Sequence, residues 1–409
     1  DKFKSKYLSL VVFANVALLY LYFTITFHHF LLLLTFALLS VYLYYASTSP
    51  IRYPWPKVIV GFYIFCGIVL LFWLLSPNAF TYESWRETRK LGYLLFSYPI
   101  FTMLRVAEFN ERKFYWGVHG AAIIFGLVAI WQVLILGIPR ATFNLSATMF
   151  GHVATLFFLL TFCSLYYFQK MNPVAILALC LSLVATILSG TRGAWIPVPI
   201  VVGVVIFLNG IPKYMHKQRV QYLLFSIVLT ALFLFLFRTL IISRYDSLIR
   251  DLRSFEGHNQ NTSPGLRLEI WKLVMLSARE HLLFGIGAGK ANFHAMIQNF
   301  IDTNQGHNYL LRLSHAHNDI LQMLMARGIV VLSAFLYLLL FKPLRFFFSI
   351  CQTKEANQKR IGIMGVVLIL CCIIGGLTDV LFFWTQNIVM YAVVMATLIY
   401  LQFNPEEKI

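Results

Sequence analysis

The segment His315-Ala316-His317-Asn318-Asp319 places two histidines and an aspartate directly before a long apolar run. A histidine side chain accepts or donates a proton near neutral pH, so this pattern indicates general acid–base chemistry. Two other interpretations stay open: a histidine that simply lies at a membrane edge, and a metal site built from these side chains. We favour a proton-accepting histidine, because no second cluster with metal-ligand spacing accompanies this one.

Basic residues at the ends of apolar runs form the second set of candidates. They are Arg86, Arg89, Lys90, Arg140, Arg192 and Arg267. Arg192 lies in a very short turn, 190–193, between two apolar segments. A guanidinium group binds phosphate oxygens in a bidentate manner, although a single arginine at such a place also extends towards lipid head groups. Taken together, the six residues favour a common anionic ligand.

A glycine-rich segment, 285–290, reads Gly-Ile-Gly-Ala-Gly-Lys. It is faintly similar to a nucleotide-binding loop, but no strand precedes it and the second half of a phosphate-binding loop is missing. Glycine at three alternate positions suits a tight turn at the end of a helix. We therefore predict a turn and no nucleotide site.

The elements that position these residues follow from composition. Of the 409 residues, 59% are apolar and only 12% are charged, whereas soluble domains have about 25% charged residues. At roughly 20 apolar residues per crossing, the chain has room for about twelve membrane spans. Lipid cannot satisfy backbone polar groups, and no alternating barrel pattern occurs, so the spans must be helices. The fold class is therefore an all-α polytopic membrane protein.

The apolar runs predict twelve spans. They lie at 7–27, 30–46, 57–76, 91–107, 114–137, 147–168, 174–189, 195–209, 221–241, 317–341, 361–380 and 383–402.

The net charge of +17 is explained mostly by orientation. One set of connecting segments, which includes both termini, holds 18 Lys and Arg residues, whereas the short loops of the alternate set hold 5. Because basic loops stay on the cytoplasmic side, both termini are predicted to be cytoplasmic. A nucleic-acid interpretation of the charge is therefore unnecessary.

The chain divides into three parts. Residues 1–241 carry nine predicted spans, 242–316 form one large loop on the outer side, and 317–409 carry three more spans. A loop of this length is usually functional or a small domain. Within it, 266–283 is predicted to be an amphipathic helix that starts near Ser263-Pro264-Gly265. Its apolar side consists of Leu266, Ile270, Leu273, Val274 and Leu276.

These features, in this order, resemble the O-antigen ligase and polymerase superfamily of bacterial inner membranes, and within it the O-antigen ligases. The resemblance covers nearly the whole chain and rests on three short motifs: 265–271, 283–289 and 315–319. It implies a fold like that of the C-type glycosyltransferases, with helices in a periplasmic loop.

The resemblance also implies roles for individual residues. An arginine in a short outer turn, an arginine opening the loop helix and a histidine before a late span correspond to Arg192, Arg267 and His317. In the family, nine residues and a glycine follow the His-Asn pair, and Gly328 fits that spacing. Val331 departs from the small or polar residue or Tyr that the pattern prefers. His315 is a rival for His317 because it lies so close in sequence.

The activity that the resemblance implies is transfer of a polysaccharide from undecaprenyl pyrophosphate to the lipid A-core of lipopolysaccharide. His317 would assist the acceptor hydroxyl, and Arg192 and Arg267 would bind pyrophosphate. A single displacement implies inversion at the anomeric carbon, and no metal or other cofactor is expected. Further substrate contacts are expected from Arg86, Arg89, Lys90, Arg140, His315 and Asn318.

Three alternatives remain. An O-antigen polymerase and a protein O-oligosaccharyltransferase use the same donor and differ in the acceptor, so an assay with competing acceptors separates them. A flippase for a lipid-linked saccharide belongs to another class and needs paired inverted repeats and a cavity lined with cations through the membrane. The sequence shows neither an internal repeat nor carboxylates in the middle of a span, which disfavours a coupled transporter.

Overall fold

The computed structural model describes residues 56–76, 79–106, 109–143, 145–165, 172–209, 263–303 and 307–403, with the single positions 242 and 246. Within these ranges every regular element is a helix, as the composition predicts. Seven helical stretches of this described part are long and apolar enough to cross a membrane. The described chain therefore has the architecture of a multi-pass helical membrane protein.

The α-helices that precede residue 210 occupy the first part of the described chain. Their bounds are α1 (Lys57–Leu75), α2 (Tyr82–Leu91), α3 (Ser97–Val106), α4 (Glu111–Ile130), α5 (Ala147–Ser164), α6 (Pro173–Leu188), α7 (Arg192–Trp195) and α8 (Pro197–Asn209). A 3₁₀ segment, Gly92–Phe96, joins α2 to α3, and a π-helical segment, Trp131–Ile135, extends α4.

The second part of the described chain begins at residue 263. Its helices are α9 (Ser263–Glu280), α10 (Lys290–Asp302), α11 (Asp319–Ala334), α12 (Lys342–Cys351), α13 (Ala356–Gly376) and α14 (Thr385–Phe403). A π-helical segment, Phe335–Phe341, joins α11 to α12, so that the helical path continues to Cys351. Short 3₁₀ segments lie at Asn308–Arg312 and Leu381–Phe383.

Most of the predicted spans that fall on described residues are confirmed as helices of membrane length. They are 57–76, 114–137, 147–168, 195–209, 317–341, 361–380 and 383–402. The span predicted at 174–189 forms α6, which is apolar but has only 16 residues. The spans predicted at 7–27, 30–46 and 221–241 lie outside the described residues, so the total of twelve stays a prediction.

The span predicted at 91–107 differs in its start. The helical path already begins at Tyr82, as α2, and continues through the 3₁₀ segment into α3. The first turns form because the Thr81 side chain caps α2 and its charges suit the helix dipole, with Glu83 in the first turn and Arg89 and Lys90 in the last. Hydropathy alone places the boundary where these charges end.

The helices pack around α5 and α14, which are buried along most of their lengths, whereas most residues of α1 and of the α7–α8 stretch are not buried. Apart from Lys57 at the first position of α1, the exposed side chains of α1 and α8 are aliphatic or aromatic, as expected for surfaces that face lipid. A second, smaller core joins α9 and α10 to the first turns of α11. Helices α9 and α10 are therefore packed against the bundle by their own apolar side chains.

The amphipathic helix predicted in the large loop is confirmed as α9. Ile270, Leu273 and Val274 are fully buried in the smaller core, and Leu266 and Leu276 pack against it. Glu269 is also buried, and His307 and Tyr309 bond to its carboxylate. Hydrogen bonds to both oxygens offset part of the free-energy cost of burying a carboxylate.

A tight turn follows α9, as the glycine-rich segment predicts. Gly285 has a positive φ of 67°, and a side chain there would overlap the carbonyl oxygen of Met325. On α11, Gly328 breaks the helix with φ 78° and ψ −179°. Two backbone bonds connect the segments: the N–H of Ile286 donates to the Met325 oxygen, and the N–H of Ile329 donates to the Leu282 oxygen, both at 2.8 Å. The turn is thereby bonded to α11 by its main chain.

Candidate active site

The histidine turn, residues 315–318, leads from the 3₁₀ segment Asn308–Arg312 into α11. His317 has a φ of 50°, a left-handed conformation that is uncommon for a residue other than glycine. The centroids of the His315 and His317 rings lie 4.1 Å apart. The Asn318 side-chain oxygen caps α11 by accepting two backbone N–H bonds from the first turn. The capped helix start therefore holds His317 in place from one side.

His317 faces Asp379, which lies in the turn between α13 and α14. Its Nδ1 atom lies 3.4 Å from the carboxylate Oδ1 of Asp379, and their side chains are 27% and 5% exposed. Burial alone raises the pKa of Asp379, but the interaction with His317 and the charges of His152 and His315 outweigh it and hold the pKa at about 2. The carboxylate is therefore ionised beside the imidazole.

Asp319 holds the turn that carries Asp379. Its two carboxylate oxygens each accept a backbone N–H, from Leu381 and Phe382, at 3.0 Å. Gly376 permits this approach, because a side chain there would meet the Asp319 carboxylate oxygen at 2.6 Å. The start of α11 and the turn after α13 are thus fixed to each other next to the histidine.

The Arg192 turn packs against the same loop. A side chain at Gly193 would meet the Thr378 hydroxyl at 2.5 Å, so the glycine allows α7 to lie directly on the residue before Asp379. Arg192 is half-buried at the first position of α7. The short turn therefore presents its arginine at the Asp379 end of the bundle.

Arg267 reaches the site from α9. Burial lowers the pKa of Arg267, while the negative charge of Asp379 raises it and the positive charge of Arg192 lowers it further. The charges of Asp379 and Arg267 also act on His152, a buried residue of α5 whose ring lies against Gly375. Arg192, Arg267, His317 and Asp379 therefore form one electrostatic cluster, although they come from four separate segments.

Arg140 supports the Arg192 turn. Its guanidinium donates from Nε to the Ser189 carbonyl at 2.8 Å and from Nη2 to the Thr191 hydroxyl at 2.9 Å. The Thr191 hydroxyl in turn donates to the Ala147 carbonyl at 2.9 Å. These contacts connect the turn to the start of α5, so Arg140 acts on the site through the backbone around Arg192.

Lys90 lies near the histidines through its contact with Phe383, whose ring packs against His315. Its ammonium donates to Glu87 at 2.5 Å and to the Phe383 carbonyl at 3.3 Å, and it lies 4.5 Å from the centroid of the Phe383 ring. Arg86 pairs with Glu87 at 3.3 Å, and Arg89 is exposed. Among the described residues neither Arg86 nor Arg89 bonds to the histidines or Asp379.

His315 lies behind His317 and is 6% exposed. Its ring packs against Phe383 and Trp384, with centroids 5.5 and 6.1 Å away. Burial and the neighbouring charge of His317 lower the pKa of His315 to about 4. A neutral, covered ring is poorly placed to meet a substrate, so the geometry favours His317 as the proton acceptor.

A metal ion is the alternative that this cluster must be tested against. His315, His317 and Asp379 each offer a ligand atom, and these atoms lie within 4.8 Å of one another. However, Asp379 also faces the positive charge of Arg267, which opposes a divalent cation at the same place. We therefore keep the prediction that the site works without a metal.

Sequence reasoning assigned no role to Asp379 and considered Asp319 only as a possible metal ligand. An ionisable residue at the end of a membrane span is a usable signal, because such residues are rare and usually functional. Asp379, at the end of the predicted span 361–380, meets that condition. Its partner, however, follows only from the packing of α11 against the turn after α13.

Comparison with known proteins supports the motif assignment. Residues 174–336 match the family described as O-antigen ligase. That range begins in α6, includes the Arg192 turn and Arg267, and continues through His317 and Gly328. An uncharacterized protein of Haemophilus influenzae is 26% identical over 314 residues, which cover 74% of this chain and 77% of the relative. Over residues 174–336, which hold three of the four clustered side chains, the chain is similar to the O-antigen ligase family.

Proposed function

We propose that the protein transfers O-antigen polysaccharide from undecaprenyl pyrophosphate to the lipid A-core of lipopolysaccharide, at the periplasmic face of the bacterial inner membrane. The family match supports ligase- or polymerase-type chemistry on lipid-linked polysaccharide. The observation that carries the proposal is the convergence of the His317–Asp379 pair with Arg192 and Arg267. It unites a proton acceptor with groups that bind a phosphate leaving group.

His317 receives the proton of the attacking hydroxyl. Because Nδ1 faces the Asp379 carboxylate, the tautomer with hydrogen on Nδ1 leaves Nε2 as the acceptor. The separation of 3.4 Å is long for a hydrogen bond, and such bonds shorten when substrate binds. Asp379 then stabilises the imidazolium, as carboxylates do in related dyads.

The hydroxyl oxygen of the acceptor forms a bond to the anomeric carbon, and the bond from that carbon to the phosphate oxygen breaks. The leaving group is undecaprenyl pyrophosphate, which takes the electron pair of the broken bond. Arg192 and Arg267 bind its oxygens and stabilise the developing charge. Further residues assist donor and acceptor binding, either by contacting the substrate or by shaping the site. They are Arg140, Lys90, Arg86, Arg89, His315 and Asn318. One displacement inverts the anomeric carbon, and no metal participates.

The proposed membrane topology uses the three segments predicted from the sequence. Residues 1–241 and 317–409 cross the membrane, 242–316 form the periplasmic part, and both termini are cytoplasmic. The outer helices α9 and α10 support it, since they pack on the end of the bundle where the cluster lies.

Purified protein in lipid nanodiscs tests the proposal with a lipid-linked polysaccharide and a core lipopolysaccharide acceptor. His317→Ala should lower the rate about 10²- to 10⁴-fold, and Arg192→Ala and Arg267→Ala about 10²- to 10³-fold. His281→Ala and Arg279→Ala are matched controls, because both residues are exposed at the far end of the loop helix. Near-wild-type rates in all three site variants would show that the proposal is wrong.

Two further arms separate the alternatives. A chelator should leave the rate unchanged, and loss of activity that zinc restores would indicate a metal site. Competition between core lipopolysaccharide, a second lipid-linked repeat unit and an acceptor peptide distinguishes ligase, polymerase and protein transferase. Movement of a labelled lipid without any covalent transfer would identify a flippase.

A further inference from the structure

Ala316 is held by hydrogen bonds on both sides. Its backbone N–H donates to the Gln322 side-chain oxygen at 2.9 Å, and its carbonyl accepts from the indole Nε1 of Trp271 at 2.8 Å. Ala316 is fully buried. The peptide planes before and after this residue are therefore fixed by two side chains from different helices, Gln322 on α11 and Trp271 on α9.

His317 lies between this fixed residue and a second one. Asn318 caps α11 and also donates from its amide to the Leu377 carbonyl at 3.2 Å. The left-handed conformation of His317 is disfavoured for a residue with a side chain, so it persists only where its surroundings impose it. The bonds to Ala316 and Asn318 supply that constraint.

Trp271 also determines how α9 meets the histidine turn. It follows Arg267 by one helical turn, and residues four apart lie on the same face of a helix. The side chain that binds Ala316 and the guanidinium of the cluster thus project from adjacent positions of one rigid element. The indole bond therefore fixes the spacing between Arg267 and His317.

We propose that Trp271 and Gln322 are positioning residues, which clamp the peptide groups of Ala316 and so aim His317 at both Asp379 and the acceptor hydroxyl. This inference rests on the proposed transfer reaction and adds two residues to it. Neither side chain needs to touch substrate, because both act through the main chain of the histidine turn.

Trp271→Phe tests the indole bond, since it keeps an aromatic ring and removes the N–H. We expect kcat to fall about 10- to 100-fold, the loss that a misplacement of about 1 Å produces, with the KM for the donor within about twofold. Gln322→Leu should have the same effect. Trp73→Phe is the matched control, because it removes an indole bond of the same type, to the Ser84 hydroxyl, away from the histidine turn.

The double variant Trp271→Phe/Asp379→Asn separates positioning from general stability. If the clamp serves the His317–Asp379 pair, the combined loss is smaller than the product of the two single losses. A purely multiplicative loss, a wild-type kcat in Trp271→Phe, or equal losses in Trp271→Phe and Trp73→Phe would each overturn the inference.

A structure of Trp271→Phe in nanodiscs gives a readout without activity. His317 should leave the left-handed region, and its Nδ1 should move away from Asp379 Oδ1; unchanged geometry would contradict the clamp. Failure of the proposed function would give a different result. His317→Ala would then keep the wild-type rate, or no variant would show transfer.

Discussion

The imidazole of His317 and the carboxylate of Asp379 face each other across 3.4 Å, although one belongs to the start of α11 and the other to the turn before α14. Asp379 follows α13 by a few residues and is held by its own neighbours: its Oδ1 accepts the N–H of Val380 at 2.8 Å. The pair therefore depends on the packing of distant segments rather than on a local motif.

Replacement of Asp379 by asparagine tests the pair directly. The amide keeps the shape of the carboxylate but removes the charge that stabilises a protonated His317, so kcat should fall about 10- to 100-fold. The measurement is the transfer rate in nanodiscs at saturating donor. Asp302→Asn, on the exposed end of α10, should retain the wild-type rate, and an equal rate in Asp379→Asn would contradict the role of the pair.

Arg140 should act through the geometry of its guanidinium. Lysine keeps the charge but cannot donate in parallel to the Ser189 carbonyl and the Thr191 hydroxyl. We therefore expect Arg140→Lys to weaken donor binding nearly as much as Arg140→Ala, with KM raised about 10-fold. Full rescue by lysine in a donor titration would instead indicate that only the positive charge matters.

The break in α11 should be intolerant of any side chain. Alanine at Gly328 has to adopt a positive φ and overlaps the carbonyl oxygen of Leu283, which should cost about 1–3 kcal/mol and lower Tm in detergent. Gly203→Ala in α8 is the matched control. Its added methyl group meets no atom within 4 Å, so the protein should be unchanged or slightly more stable.

His315 should make stability depend on pH. Its pKa is about 4 in the folded protein, below the ordinary value near 6.5, because burial and the charge of His317 disfavour its protonated form. The unfolded chain therefore binds the extra proton first, and stability falls as the pH drops from about 6.5 towards 4. His315→Gln should flatten this part of the Tm profile in detergent, whereas His281→Gln should leave its slope unchanged.

Much of the fold follows from hydropathy, since each helix that faces lipid must satisfy its own backbone bonds. The predicted span boundaries are least accurate where a helix contains charged residues. The charges of α2 delay the predicted start of its span, and Lys342 ends the span predicted at 317–341, although the helical path continues to Cys351. A cation at a membrane edge does not end a helix, because its side chain can extend to the polar surface while the backbone stays helical.

The candidate site is predictable only where its residues belong to local sequence motifs. Arg192, Arg267 and His317 belong to short motifs that local sequence displays, and the structure brings them to one electrostatic cluster. Asp379 belongs to no such motif. It is placed beside His317 because Asp319 bonds the turn after α13 to the start of α11. Arg140 and Lys90 were expected to contact substrate, and their described bonds go to the protein around the cluster.

The interruption at Gly328 has a mechanical consequence. Residues 319–327 continue from the histidine turn and contact both cores, since Met325 and Ala326 pack in the smaller core whereas Met323 and Leu324 pack in the bundle. Backbone bonds on each side of Gly328 connect the break to the segment after α9. Asp319 binds the turn that carries Asp379, so a displacement of this part of α11 would move the imidazole and the loop of its carboxylate partner together.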